Sequence, residues 1–250
     1  MKYYTNYKPE NLKNASLYYD KFVYHEANPE DLKKIKDDYK DILINLDKNI
    51  IKKNIEIIKN IRIQMINKIK KHYNVKTYIV KNKTPFLIGA GIPSIDEIGF
   101  YWSRNYGLPI IPGTSIKGAF RKYIESNNDL KSIIDVVFGN AEKKGYIDFL
   151  DAIPINTIKL NIDYQTPHFQ EYYMNNQPPN DVYNPIPLNY LNVSNGTFRI
   201  DLLISADSNE VINIINIHFK YFLEYFGIGA KTSMGYGRFK IQELSNFDRR

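Results

Sequence analysis

Two short segments concentrate the residue types that chemistry requires. The first is Ile111-Pro112-Gly113-Thr114-Ser115-Ile116-Lys117-Gly118-Ala119-Phe120-Arg121. A Pro-Gly turn ahead of an amphipathic run is expected to deliver Thr114 or Ser115 to the N-cap of a helix over 115–125. Free N–H groups and the positive dipole end would then make a phosphate site. Lys117 and Arg121 share a helical face with Thr114 and Gly118. Gly118 costs such a helix about 1 kcal/mol relative to alanine. A close approach on that face is the expectation, by an RNA backbone or by another element of the chain. The second segment is Gly227-Ile228-Gly229-Ala230-Lys231-Thr232-Ser233-Met234-Gly235-Tyr236-Gly237-Arg238. A backbone this rich in glycine can track a sugar-phosphate chain, with Gly229, Lys231, Thr232, Ser233, Gly235, Tyr236 and Arg238 as candidate contacts. It forms neither a Walker loop nor a dinucleotide fingerprint, so no cofactor is expected.

Catalytic groupings are sparse. His25, His72, His168 and His218 share no metal-ligand spacing, and no metal site is expected. His218 falls within an apolar helical run and reads as a packing residue. His168, in Thr166-Pro167-His168-Phe169, serves either packing or RNA contact. Asp96 reads as a turn residue or as a carboxylate acting on RNA. With no cysteine in 250 residues, disulfide scaffolds, thiolate zinc sites and cysteine nucleophiles are excluded.

The charge pattern favours a polyanionic partner. Lys and Arg number 34 against 27 Asp and Glu, a formal charge of +7. Between Glu30 and Tyr73 there are 12 cations and 7 acids, so one segment carries most of the excess. Nucleic acid is the first candidate for such a chain. The 21 tyrosines and 13 phenylalanines supply core rings and stacking platforms alike. A hydrophobic content of 43% excludes wholesale disorder. No apolar run nears a membrane span and no leader pattern is present, so a cytoplasmic protein is expected.

The elements that must position these segments follow from periodicity. Pro29 to Pro85 contains neither glycine nor a further proline, and its apolar residues recur at helical spacing with a phase slip near Asn49. That predicts two helices or a bent one. Strands are expected at Lys76–Val80 with Phe86–Ile88, at Tyr146–Leu150, at Phe198–Ile204 and at Arg238–Gln242. Helices are expected at Ser115–Glu125, at Leu130–Phe138 stopping at Gly139, and from Val211 to Phe226 behind an Asp207/Glu210 cap. Asp163 to Pro187 reads as a long loop or inserted hairpin. The order is α+β and ferredoxin-like, a four-stranded antiparallel sheet with two helices on one face. A helical segment over 1–74 is expected to pack on a domain over 75–250, with an insertion around 163–190.

The Pro-Gly segment resembles the Pro-Gly-Ser-Ser-hydrophobe-Lys-Gly…Arg signature of backbone subunits in the RAMP superfamily of CRISPR proteins, with Thr114 where serine is usual. Phe138-Gly139 and Gly145-Tyr146-Ile147-Asp148-Phe149-Leu150-Asp151-Ala152 are similar to the stretch that follows it there. Asp163-Tyr164-Gln165-Thr166-Pro167-His168-Phe169, Tyr172-Tyr173, Pro178, Asp181, Pro185-Ile186-Pro187 and Leu191 resemble the sixth-subunit family of the type III-B Cmr complex. Glu97-Ile98-Gly99-Phe100 fits the same family. The resemblance covers about Thr84 to Lys240.

It implies an RNA-recognition-like fold and a non-catalytic subunit at the end of the guide-RNA filament, holding the 3′ part of the guide. The implied partners are guide CRISPR RNA, target RNA, the repeating backbone RAMP subunit, the small subunit and the neighbouring end RAMP subunit. The implied RNA-binding residues are Gly113, Thr114, Ser115, Lys117, Gly118, Arg121 and His168, with the contacts named above in the glycine-rich loop. Three rivals remain open. Asp96 would cut target RNA if it matched the cleaving aspartate of the sister backbone subunit. A repeat-processing endoribonuclease tends to use a histidine near the first helix, and Ser115–Glu125 has none. A scaffold that binds no RNA would use both glycine elements for packing.

Overall fold

A computed structural model of the protein describes residues 12–22, 39–94, 98–166, 178, 187–205 and 209–242. The phase slip in the basic segment is a real break. A helical turn at 39–44 ends, and Asp47 caps a new helix, α1 (Lys48–Ile69), by accepting the Asn49 N–H at 2.8 Å. Ile55, Ile58 and Ile66 of α1 are buried, whereas Ile61, an apolar residue of the same periodic run, is 50% exposed. The position that completes the inward row is Arg62, one turn from Ile58 and one from Ile66.

The remaining chain follows in order. β1 (Asn74–Asn82) leads through a small hairpin, β2 (Trp102–Ser103) with β3 (Leu108–Pro109), to α2 (Gly113–Glu125). A 3-10 turn, Asn128–Ile133, runs into α3 (Ile134–Phe138), which stops at Gly139 with φ +79°, as the sequence predicted. Then come β4 (Ile147–Phe149), β5 (Ile153–Pro154), β6 (Lys159–Gln165), β7 (Leu188–Asn195) and β8 (Thr197–Ile204). α4 (Asn209–Tyr221) continues into a wider helical turn, Phe222–Phe226, and β9 (Phe239–Gln242) closes the fold. The Asp207 of the expected cap lies outside the described residues.

The main sheet is antiparallel in the order β4-β8-β1-β9, with β5 also paired to β8. Read along the chain as β1-α2-β4-β8-α4-β9, this is the ferredoxin-like arrangement. Phe86–Ile88 does not extend it. Pro85 cannot donate to a ladder, and Phe86 instead exchanges hydrogen bonds with Val193 of β7. β6 and β7 pair antiparallel from Lys159 to Gln165, with Asp163 opposite Tyr190, and most of the expected insertion lies outside the described residues.

One face of the sheet carries the expected core. Phe198, Ile200 and Leu202 of β8 meet Ile116, Phe120 and Ile124 of α2 and Val211, Ile215 and Phe219 of α4, all buried. Phe120 lies at the centre, its ring 5.2–5.6 Å from those of Phe138, Phe219 and Phe222. Fully burying each such side chain stabilises by about 1.5–3 kcal/mol. The opposite face is covered too. There the Asp201 side chain of β8 is fully buried and bonded to Arg62 of α1 at 3.1 Å. α1 closes this face, because a helix with an inward arginine can cover a sheet with an inward aspartate.

Candidate nucleic-acid interface

The start of α2 is held by backbone packing and by a carboxylate of the chain itself. Neither Thr114 nor Ser115 caps the helix, which begins two residues earlier than expected, at Gly113. Gly113 donates its N–H to Asp151 Oδ1 at 2.8 Å. A Cβ at Gly113 would collide with the Phe149 carbonyl, so only glycine lets this turn lie against β4. Ser115 and Ile116 both donate to Pro112 O. The positive dipole end expected to hold a phosphate is therefore complemented by Asp151. Arg62 Nη2 donates to the Asp151 carbonyl at 3.0 Å, tying α1 to the same corner.

Further along α2, Thr114, Lys117, Gly118 and Arg121 line one face, as their spacing predicted. Thr114 and Gly118 are exposed, and Ser115 and Lys117 are half-buried. Among the described residues Lys117 has no ion-pair partner. Arg121 pairs with Glu125 at 2.9 Å, and Lys122 reaches the same carboxylate at 2.8 Å. The Lys122 and Arg121 hydrogen bonds hold the Glu125 carboxyl below its ordinary pKa. A Cβ on Gly118 would meet nothing within 4 Å. No described element of the chain packs there. On the flank towards α4, the Tyr123 hydroxyl bonds His218 Nδ1 at 3.2 Å, and burial lowers the pKa of that imidazole. His218 is a packing residue, as its position suggested.

The glycine-rich loop is more structured than its composition implied. Gly237 has φ +73°, and a Cβ there would strike the Ile228 carbonyl where the loop folds back on itself. Arg238 donates to the carbonyls of Phe226, of Thr232 at 3.0 Å and of Tyr236 at 3.3 Å, clasping the loop from within. Lys231 adopts a left-handed backbone at φ +59°, and its ammonium sits 3.8 Å from the Tyr190 ring centroid. Its Nζ is buried without a hydrogen-bond partner. The Tyr190 and Tyr236 hydroxyls are 3.1 Å apart, and Tyr236 donates to Asp163. Burial first, then the bonds to Asp163 and Tyr190, pushes the Tyr236 phenol well above its ordinary pKa.

The two loop cations expected on phosphates are thus engaged inside the chain. Tyr190 offers a ring face to Lys231, and the loop carbonyls need the donors of Arg238. Exposed at the loop surface are Gly229, Ser233 and Met234, while Thr232, Gly235 and Tyr236 are half-buried. Through Lys231 and Tyr236 the loop grips the β6–β7 strand pair.

No hydrogen bond or ion pair joins the α2 face to the loop among the described residues. Their link is apolar: the Tyr123 ring lies 6.0 Å from Phe222 and 5.8 Å from Phe226, immediately before Gly227. His168 and Asp96 lie outside the described residues. Among the described residues no three His, Asp or Glu are placed to hold a metal ion, and no helix is long and apolar enough to cross a membrane. Sequence inspection missed Arg62, Asp151, Asp163, Tyr190 and Asp201. The signal for Arg62 was its place in the apolar row of α1; Asp163, Tyr190 and Asp201 had none beyond their strand positions, and Asp151 lies in the turn between β4 and β5.

Residues 79–240 match the RAMP superfamily. The chain is 27% identical to the CRISPR system Cmr subunit Cmr6 of Pyrococcus furiosus, over 63% of this chain and 65% of that protein. It is also 27% identical to the corresponding subunit of Saccharolobus solfataricus, over 69% of this chain and 60% of that one. The matches therefore span less than two thirds of the length of these relatives. Its fold is similar to a chain of a type III-B Cmr-beta complex bound to cognate target RNA, with a TM-score of 0.69 at 23% identity, covering 89% of this chain and 80% of that chain. The match over 79–240, laid on the βαββαβ sheet and on the two glycine segments, places this chain in the RAMP superfamily.

Proposed function

We propose that this chain is a non-catalytic RNA-binding subunit of a type III-B CRISPR effector complex, holding the 3′ part of the guide RNA at the end of the backbone filament in antiviral defence. The observation that carries this reading is the open face of α2. Gly118 costs the helix stability and nothing in the described chain uses the space it leaves. Beside it Thr114 is exposed and Lys117 has no ion-pair partner among the described residues. The Cmr6 relatives and the fold similarity to a chain of a Cmr-beta complex bound to target RNA support the same reading. The protein reads backbone and shape, and sequence is read by pairing between guide and target. Its neighbours are the backbone RAMP subunit, the small subunit and the adjacent end subunit. Residues 1–74 serve as a helical cover on the 75–250 domain, and the complex works in the cytoplasm.

Single-stranded RNA should bind the purified chain with an affinity that falls steeply with salt and shows little base preference. Lys117→Ala should lower the slope of log affinity against log salt by about 0.7, one phosphate's worth on a single strand. Its stability should change by no more than about 0.5 kcal/mol, because the substitution breaks no ion pair among the described residues. Lys231→Ala should act the other way, lowering the midpoint because it removes a desolvated cation–ring contact of about 2 kcal/mol. Salt-insensitive binding, or strong preference for one short sequence, would count against the proposal.

The absence of a cutting role is tested in the assembled complex. Asp96→Ala should leave the pattern of target-cleavage products unchanged. Loss of one specific product would overturn the non-catalytic assignment in favour of a target-cleaving RAMP endoribonuclease.

A further inference from the structure

We infer a second RNA-backbone site, at the end of the sheet opposite the glycine-rich loop, where α1 hands over to β1. An open groove of about 390 Å³ lies there, lined by Lys70, Lys71, His72, Tyr73 and Asn74 with the end of β8 at Ile204. This inference rests on the RNA-binding reading above and extends it to a surface that the glycine motifs do not include.

The groove is one-signed. From Glu56 to Asp96 the sequence contains no acid between them, but eight Lys or Arg. Lys68, Lys70, Lys71 and His72 are all exposed, and none of the three lysines has an ion-pair partner among the described residues. Lys144 lies near Tyr73 but is neutralised by Asp148 at 2.7 Å, so it does not offset or add to the excess. Clustered like charges repel one another and destabilise the compact state.

The ordinary reason for lysines at this place is the helix end. Cations near a C-terminus complement the dipole and can bond the last carbonyls. Here peptide groups already serve two of those carbonyls, Ile66 O and Ile69 O. The Lys70 N–H bonds Ile66 O at 2.9 Å, and the His72 and Tyr73 N–H groups bond Ile69 O at 2.8 and 3.2 Å. The ammonium groups are left to solvent. Two compact point charges beside the exposed Asn74 amide suit phosphates and neighbouring hydroxyls without base specificity.

Position makes the groove a separate site. Asn74 pairs with Ile204 at one end of β1, and Asn82 pairs with Phe239, next to the glycine-rich loop, at the other. The eight steps of about 3.4 Å from Asn74 to Asn82 separate the two ends by about 27 Å. A strand held at both would run the length of the sheet.

The test uses the full chain with two mixed-sequence single-stranded RNAs, one long enough to span β1 and one too short, each titrated across a series of salt concentrations. Wild type should show a steeper salt slope with the long RNA. Lys70→Ala/Lys71→Ala should cut that slope by about 1.4, two phosphates' worth, or about a sevenfold affinity change over a fourfold salt range. Its slope with the short RNA should not move. Lys70→Arg/Lys71→Arg should keep the wild-type slope, and thermal midpoints measured on all variants separate lost contact from lost folding.

An unchanged long-RNA slope in the alanine variant, with Lys117→Ala still lowering it, would overturn this site and leave the α2 reading standing. The reverse pattern would support this site and remove α2. Loss of slope in the arginine variant as well, or no binding of either RNA by wild type, would overturn the inference.

Discussion

Replacing Asp201 by alanine is expected to destabilise the chain by about 3–5 kcal/mol, the cost of breaking a buried ion pair from one side. The Asp201 side chain is fully buried. It accepts Thr77 Oγ1 at 2.7 Å, Arg199 Nε at 2.9 and 3.0 Å, and Arg62 Nη1 at 3.1 Å. Its removal leaves two guanidinium groups, 11% and 12% exposed, without their counter-charge between sheet and helix. At about 2–4 °C per kcal/mol for a chain of this size, the thermal midpoint should fall by roughly 10 °C. Asp201→Asn should fall between, because it keeps an acceptor and loses the charge. A loss below about 1 kcal/mol for the alanine variant would mean that α1 does not seal this face. The consequence is functional. RNA-recognition sheets stack bases on exposed aromatics of one face; here that face lies under α1. On the proposed reading, RNA would meet edges, helix faces and loops instead.

Two glycines of α2 should respond to the same substitution with opposite signs. Gly113→Ala is expected to destabilise by about 1–3 kcal/mol or more, since a Cβ there drives into the Phe149 backbone and the rigid strand cannot yield. Gly118→Ala is expected to stabilise the free protein by about 1 kcal/mol, because the new methyl enters open space and alanine is the better helix former. The same Gly118→Ala variant should bind RNA more weakly, its methyl standing where the backbone approaches. Denaturant unfolding and RNA titration on both variants give the two readouts. If Gly118→Ala were more stable and bound RNA unchanged, the open face would not be the contact surface.

Much of this protein is written locally. The break at Asn49, the stop at Gly139, the clean alternation of β8 and the amphipathic run of α4 follow from side-chain periodicity, capping and glycine conformations. These act over a few residues and need no knowledge of the fold. The same holds for the shared face of Thr114, Lys117, Gly118 and Arg121, which 3.6 residues per turn dictates. Tertiary structure decided what those elements meet. Asp201 alternates like a solvated residue and is buried, because Arg62 arrives from 139 positions away. The helix end that looked free for a phosphate is closed by Asp151, and the cations of the glycine-rich loop turn inward to Tyr190 and to the loop's own carbonyls. Local chemistry shows which groups need a partner. Which partner each finds depends on contacts between distant segments, and those exist only once the sheet has assembled.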